Sequence, residues 1–330
     1  MLAIDALEIK FAMQAVRLAA GLIQGVQAEL VGAAMTKEDR SPVTVADYAS
    51  QALVVYLLSQ AFPNDSLVGE EDASGLRDAS ARPTLELVTQ FVGRLVPGAS
   101  AAAVCDWIDR GSASPAERFW ALDPMDGTKG FLRGDQYAVA LALVIQGQVQ
   151  VGVLGCPNLS EASLPEMGGE GSLVVARRGQ GAWTTSLASP AKLKRLAVSK
   201  RSDPAQARLL RSFESGHTNV SQVDEFARAL GVQAEPVRMD SQAKYALLAS
   251  GRGDLLLRLL SPSKPDYREK IWDQAAGSLV VEEAGGQISD LHGKALNFSA
   301  GRTLRHNRGI LASNGRLHSP ALLALSAIGA

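Results

Sequence analysis

Two aspartates stand three residues apart in "FWALDPMDGTKGF", Phe119 to Phe131, at the end of an apolar run and directly before a Gly-Thr step. Desolvating two like charges is costly, and neighbouring carboxylates raise each other's pKa unless a cation neutralises them. Asp123 and Asp126 therefore read as part of a cation site. Three other places combine carboxylates with strand-end or helix-start context: Asp47 in "TVADY", Glu70 and Glu71 in "LVGEED", and Asp273 in "IWDQAAG". Singly, each has an ordinary explanation. Asp47 and Asp273 could cap helix N-termini; "GEED" could be a solvated turn; "DPMDG" could be a proline-led turn fixed by its own Asp side chains. Together they share a feature those explanations do not need: they end apolar runs ("SLVG", "FWAL", "EKIW"). Strand ends of that kind are where sites gather in α/β proteins.

If these groups converge, the donor set selects the ion. Carboxylates supplemented by backbone carbonyls suit hard, oxygen-seeking ions such as Mg²⁺. None of the four histidines (His217, His292, His306, His318) has a metal-ligand spacing, which argues against zinc. Three or more carboxylates exceed what one Mg²⁺ needs. Two or more ions fit better, as in sites that hold the attacking and leaving oxygens of a phosphoryl transfer.

The motifs "GEE", "DPMDGT" and "WDQAAG", in that order, resemble the signature set of the inositol monophosphatase superfamily of Mg²⁺-dependent, lithium-sensitive phosphatases. The stretches "SPVTVADYASQALV", "LDPMDGTKGFLRGDQYAVALAL", "DSQAKYALLASG" and "YREKIWDQAAGSLVVEEAGG" are similar to its 3'(2'),5'-bisphosphate nucleotidase branch. The similarity runs from about Lys37 to Asn314, with Met125 where isoleucine is commoner and Gln274 where the branch often has histidine. The resemblance implies Glu70, Asp123, Asp126 and Asp273 as metal-ligand side chains, with Met125 contributing its carbonyl. It implies Asp47 and Thr128 as the pair that orients and deprotonates the attacking water, and His217, Ser241, Lys244 and Arg258 as contacts to the nucleoside and the phosphate that is not cleaved. Gly127, with no Cβ, lets the chain turn so that backbone N–H groups, with Thr128 beside them, face a bound phosphate. Glu71 fits either a supporting carboxylate or a surface turn. Arg258, inside "DLLLRLL", is expensive to bury without an anion, which a phosphate or a structural carboxylate can supply. Lys244 fits either a phosphate contact or a solvated helix face.

Several elements must position these residues. Phe11, Ala15, Leu18, Leu22 and Val26 recur at helical spacing, predicting a helix of nearly two dozen residues. "SPVTVADYASQALVVYLLSQAF" predicts an extended entry and then a second helix, with Asp47 near its first turn. "YAVALALVIQGQVQVGVLG" predicts two strands joined through Gly147, and Gly171 to Trp183 a second strand-turn-strand unit. Further on, "VDEFARALG" reads as helix, "DLLLRLL" as buried strand and "WDQAAGSLVVEEAGG" as a helix closed by Gly285. The Gly/Pro/Ser-rich stretch from Cys156 to Gly171 is the natural subdomain boundary, unless a sheet crosses it. The resulting expectation is a layered α-β-α-β-α sandwich. Residues 1–160 form an α+β part with most metal ligands; residues 161–330 form an α/β part with the substrate-binding residues and Asp273.

The bulk numbers exclude several classes. At 330 residues and 46% hydrophobic, the chain can bury a large core. A net charge of −1, from 33 basic and 34 acidic residues, favours neither nucleic acid polymers nor anionic membranes. No apolar stretch approaches the ~20 residues that span a bilayer. Acidic Asp5 and Glu8 stand where a signal peptide carries basic residues, and two cysteines without a CxxC fit a reduced compartment. The expectation is a cytoplasmic, Mg²⁺-dependent nucleotidase acting on a small nucleotide, with a monomer as the simplest state. An inositol phosphate phosphatase of the same fold is the alternative, and a non-catalytic ligand sensor the third reading. By resemblance its pathway is sulfur assimilation.

Overall fold

One strand shows how the layers are set. In β3 (Ala138–Ile145), Val139, Leu141 and Leu143 join one core, and Ala138, Ala140, Ala142 and Val144 join another. Alternate side chains of a strand point to opposite faces, so β3 is covered on both sides: bulky residues one way, mostly alanines the other. The structure, a computed structural model, describes residues 2–31, 41–189, 192–213, 220–261 and 264–330.

The preceding strands are β1 (Ser66–Gly69) and β2 (Arg118–Asp126); β4 (Gln148–Cys156) follows β3 through a turn at Gly147, where φ is +73°. A small hairpin, β5 (Leu159–Ser160) and β6 (Leu164–Pro165), precedes β7 (Ser172–Arg177), β8 (Gly181–Ser186) and β9 (Lys194–Arg195). One seven-stranded sheet runs β1-β2-β3-β4-β7-β8-β9, so β4 and β7 pair directly across the Gly/Pro/Ser-rich stretch. A five-stranded sheet follows, in the order β11 (Val237–Arg238), β10 (Leu209–Arg211), β12 (Leu255–Arg258), β14 (Ile310–Ser313), β13 (Gln287–Ser289).

Helices separate and cover these sheets. α1 (Leu7–Leu30) and α2 (Ser41–Ala61) pack against each other and on the large-residue face of the first sheet, and α3 (Arg82–Gly93) and α4 (Ala101–Asp109) flank α2. The short α5 (Thr128–Arg133) follows β2, and α6 (Val220–Leu230) follows β10. α7 (Ala243–Ala249) and α8 (Ala275–Glu283) fill the space between the two sheets. α9 (His318–Ala327), with α6, covers the outer face of the second sheet. The order of layers is α-β-α-β-α, as expected. The paired strands, α1, α6, β12 and α8 fall where the sequence places them. One local expectation fails: residues 41–46 are not extended, because α2 begins at Ser41 with Pro42 in its first turn, where proline's missing N–H costs nothing. Asp47 consequently lies inside the helix rather than capping it.

Two glycines of β4 let helices approach from both sides. A Cβ on Gly155 would lie 2.7 Å from Val16 of α1, and one on Gly152 would lie 2.7 Å from the carbonyl of Ala276 in α8. The backbone of α8 cannot retreat without disturbing the segment that carries Asp273. Gly152→Ala is therefore expected to cost about 1–3 kcal/mol, the usual range for overpacking, read as a lower urea midpoint at unchanged m-value. An unchanged midpoint would show that α8 can shift freely.

Candidate active site

Parallel pairing of β1 with β2 starts the site. Gly69 is opposite Leu122, so Glu70 and Asp123 leave neighbouring strands side by side. The β2–β3 register then slips between Asp123 and Asp126, a bulge made at Pro124 and Met125. Proline in a strand belongs at such a bulge. Ser50 of α2 donates to the Pro124 carbonyl at 2.9 Å. The Met125 side chain is buried in the first core, so only its backbone can face the site.

α2 presents Asp47, Ser50 and Gln51, all buried, at spacings that share one helix face. Gln51 binds both sides of the "GEE" segment: its Oε1 accepts from the Glu71 N–H at 3.1 Å and its Nε2 donates to the Glu71 carbonyl at 2.6 Å. It also donates to the Ile108 carbonyl at 2.9 Å. From the other side come Gln242, Trp272 and Asp273. The Gln242 N–H donates to Asp126 Oδ2 at 2.6 Å, and its side chain donates to the Trp272 carbonyl at 3.2 Å and, more weakly, to Asp123 Oδ2 at 3.4 Å. Ser241, just before it, is buried with φ at +60°, a strained setting for a non-glycine residue. Gly127 has φ +96°, and a Cβ there would meet Ser241 Cβ at 2.8 Å and the Gln136 carbonyl at 3.0 Å. Only glycine fits between these neighbours.

The electrostatics follow from burial plus like charge. Burial pushes the Asp123 carboxyl well above its ordinary range, and Asp126, Glu70, Asp273 and Asp47 push it further. Asp47 is raised well above its ordinary value by burial and then by Glu71, Glu70 and Asp126. Burial raises Asp273 strongly; Arg258 opposes the rise, while Asp126, Glu269 and Glu70 add to it. Glu70 is exposed by surface area, yet enough protein surrounds it for desolvation to lead its rise, followed by Asp126; Lys270 and Arg302 oppose. Glu71 is pushed up to about 7 by burial, then by Glu70 and Asp72.

The structure thus gathers Asp47, Glu70, Glu71, Asp123, Asp126 and Asp273 into one field. These oxygens suit a hard divalent cation, and Asp123 Oδ1 is buried with no hydrogen-bond partner. Among the described residues, no three His, Cys, Asp or Glu side chains form a ready-made metal group as they stand. Asp126 Oδ2 accepts from the Gln242 N–H, and Asp273 Oδ2 lies 3.6 Å from Arg258.

On the substrate side, Lys244 is buried, donates to Ser212 Oγ at 2.6 Å, and is lowered to about 8 by burial and the Arg258 charge. Arg258 Nε lies 2.9 Å from Glu269 Oε2, an ion pair by distance but not aligned as a hydrogen bond. Its anion partners here are carboxylates, Glu269 and Asp273. Thr128 is exposed at the head of α5. His217 lies outside the described residues. Sequence reasoning missed Ser50, Gln51, Gln242, Glu269 and Arg302. The polar pair three and four residues after Asp47, in an otherwise apolar helix, was a usable signal.

The fold and this cluster define a member of a known class: the chain matches the inositol monophosphatase family over residues 6–329 and belongs to it. Among curated proteins, it is 45% identical to a 3'(2'),5'-bisphosphate nucleotidase of Oryza sativa, covering 96% of this chain and 93% of that one. Proteins of the same name from Emericella nidulans (41% identical, 95% and 96% covered) and Schizosaccharomyces pombe (40%, 97% and 95%) match at similar length. Among solved structures, the inositol monophosphatase of Thermotoga maritima shares the fold at TM-score 0.64 and 18% identity, covering 98% of both chains. That of Zymomonas mobilis does so at TM-score 0.64 and 20% identity, covering 100% of both.

A carboxyl whose pKa is higher folded than unfolded costs stability once pH rises past the unfolded value near 4, and the cost grows up to the folded pKa. Asp123→Asn removes that cost. Without metal at pH 8 the variant should melt at least about 1.5 °C higher than wild type, the shift that ~1 kcal/mol gives in a chain of this size. Mg²⁺ should raise the melting temperature of wild type and leave that of the variant unchanged. A variant melting lower without metal, or still stabilised by Mg²⁺, would contradict this account of the cluster.

Proposed function

We propose that this chain is a Mg²⁺-dependent phosphatase that removes the 3'-phosphate of adenosine 3',5'-bisphosphate, giving AMP and inorganic phosphate. Its 5'-phosphosulfate relative, 3'-phosphoadenylyl sulfate, would give adenylyl sulfate in the same way. The observation that carries the reading is the shared field of carboxylates around the buried, unpartnered Asp123 Oδ1. The 40–45% identity to bisphosphate nucleotidases supports the choice of substrate.

Glu70, Asp123, Asp126 and Asp273, with the Met125 carbonyl, would hold two or more Mg²⁺ ions. Bound there, the ions would supply positive charge against the phosphoryl oxygens and acidify a water. Thr128 orients the attacking water and passes its proton towards Asp47. The water oxygen bonds to phosphorus as the bond to the ribose 3'-oxygen breaks, and that oxygen leaves as a hydroxyl after taking up a proton. Gly127 keeps space beside the transferred phosphate. Lys244, Ser241, Arg258 and His217 hold the nucleoside and its second phosphate. Lys244 is the strongest of these candidates, since a buried ammonium lowered to about 8 gains most from an arriving dianion. Cys105 and Cys156 are buried free thiols, which supports a reducing cytoplasmic setting. Among the described residues, no helix is long and apolar enough to cross a membrane.

Hydrolysis of a phosphate ester panel by the purified protein, with Mg²⁺ or with EDTA, tests the reading. Efficiency should be highest on adenosine 3',5'-bisphosphate and lost in EDTA. A preference for inositol phosphates would promote the alternative substrate class, and no hydrolysis of any ester would promote a ligand sensor. The pH profile adds a sign. As pH rises through about 8, Lys244 loses its charge, so kcat/KM on the bisphosphate should fall there, while kcat/KM on inositol 1-phosphate should not. Losing one charged contact to a remote phosphate costs on the order of 1.5–3 kcal/mol, about ten- to a hundred-fold. Parallel profiles on both substrates would remove Lys244 from that role.

A further inference from the structure

Glu70 and Asp273 come from opposite ends of the chain, and something must hold their separation. The loop before β14 does so through Arg302. Its guanidinium donates to the carbonyls of Gly111 at 3.3 Å and Ala113 at 3.1 Å, and to that of Gly69, the residue directly before Glu70. The same guanidinium lies over the Trp272 ring, 4.9 Å from its centroid, directly before Asp273. The Arg302 backbone is tied to the same place: its carbonyl accepts from the Ile271 N–H at 3.2 Å, Thr303 bridges to Lys270, and the Leu304 N–H donates to the Glu269 carbonyl at 2.8 Å. Gly69 and Gly111 are themselves joined, N–H to carbonyl, at 2.7 Å. One side chain therefore touches the residue before each of the two carboxylates.

We propose that Arg302 is a positioning residue of this site: held by the Gly69, Gly111 and Ala113 carbonyls and stacked on Trp272, it fixes the separation of Glu70 and Asp273. The inference rests on the reading of those two carboxylates as ligands of one cation site. Arginine suits the role because its planar fork bonds several carbonyls while its face stacks on an indole; a lysine ammonium cannot do both. Arg302 touches neither substrate nor the reacting atoms in this scheme. It acts through the carboxylates it spaces, so its loss should appear in ion affinity first.

The test compares Arg302→Met, Arg302→Lys and Arg302→Ala with wild type, and with Arg305→Ala as an exposed neighbour. Mg²⁺ binding is measured by titration calorimetry, kcat and KM at saturating Mg²⁺, and stability by urea unfolding in EDTA. Removing groups that orient metal ligands typically lowers affinity ten- to a hundred-fold. Arg302→Met should lose Mg²⁺ affinity in roughly that range and lose kcat, while the nucleotide KM stays within about two-fold. Arg302→Lys should fail to restore either, and Arg305→Ala should match wild type. Arg302 borders an open cleft of about 390 Å³, lined also by Ser114, Ser299 and Thr303. Added guanidinium ion can enter there and should recover Mg²⁺ affinity in Arg302→Ala. If Arg302→Met or Arg302→Lys binds Mg²⁺ like wild type and changes only the urea midpoint, Arg302 is a structural brace and the proposal falls. Absence of Mg²⁺ binding by wild type would also overturn it. If wild type binds Mg²⁺ but hydrolyses no phosphate ester, the functional reading fails alone, and the calorimetric comparison still decides the role of Arg302.

Discussion

Like charge held out of water at one end of a sheet is the constraint on which the rest of this structure depends. Asp47, Glu70, Asp123 and Asp273 each raise or are raised by their neighbours, with burial as the largest cause in every case. Such a cluster opposes folding unless surrounding groups hold it in place. The surrounding elements do so with neutral donors and a few cations. Gln51 fixes the backbone of "GEE", Gln242 gives its N–H to Asp126, Ser50 holds the Pro124 carbonyl, and Arg258 faces Asp273. The layers follow from the same need. Alanines and glycines on one face of the first sheet let α8 pack close, which brings the segment ending at Asp273 to the strands that carry Glu70 and Asp123.

Part of this was legible in the sequence. Carboxylates closing apolar runs marked Asp123, Asp126, Glu70 and Asp273 as a set, although each alone has an ordinary turn or cap explanation. Two apolar runs joined through Gly147 marked β3 and β4, and helical spacing marked α1. The start of α2 was misread because "SPV" looks like an extended entry, whereas Pro42 occupies a first-turn position that tolerates it. Gln242, Gln51 and Arg302 were not legible for another reason. They act on backbone carbonyls, N–H groups and rings far away in sequence, and no spacing pattern records such partners. The anion facing Arg258 was equally hidden: its burial demanded a partner, but only the folded chain shows Glu269 and Asp273 there.

The two sides of the site divide chemistry from recognition. In the proposed reaction the carboxylate side gathers cations and a water, and the buried Lys244 side meets a second phosphate. Arg258 stands between them, paired to Asp273 on the carboxylate side and depressing Lys244 on the other. A substrate with two phosphates a fixed distance apart would meet both regions at once. A monophosphate would meet only one.

The central claim is that the clustered carboxylates are one divalent-cation site. Crystals grown with Mn²⁺ and AMP, measured at the manganese absorption edge, test it most directly. The account predicts anomalous density for two or more ions bounded by Glu70, Asp123, Asp126, Asp273 and the Met125 carbonyl. No anomalous density among those residues, with Asp123 Oδ1 still unpartnered, would contradict it.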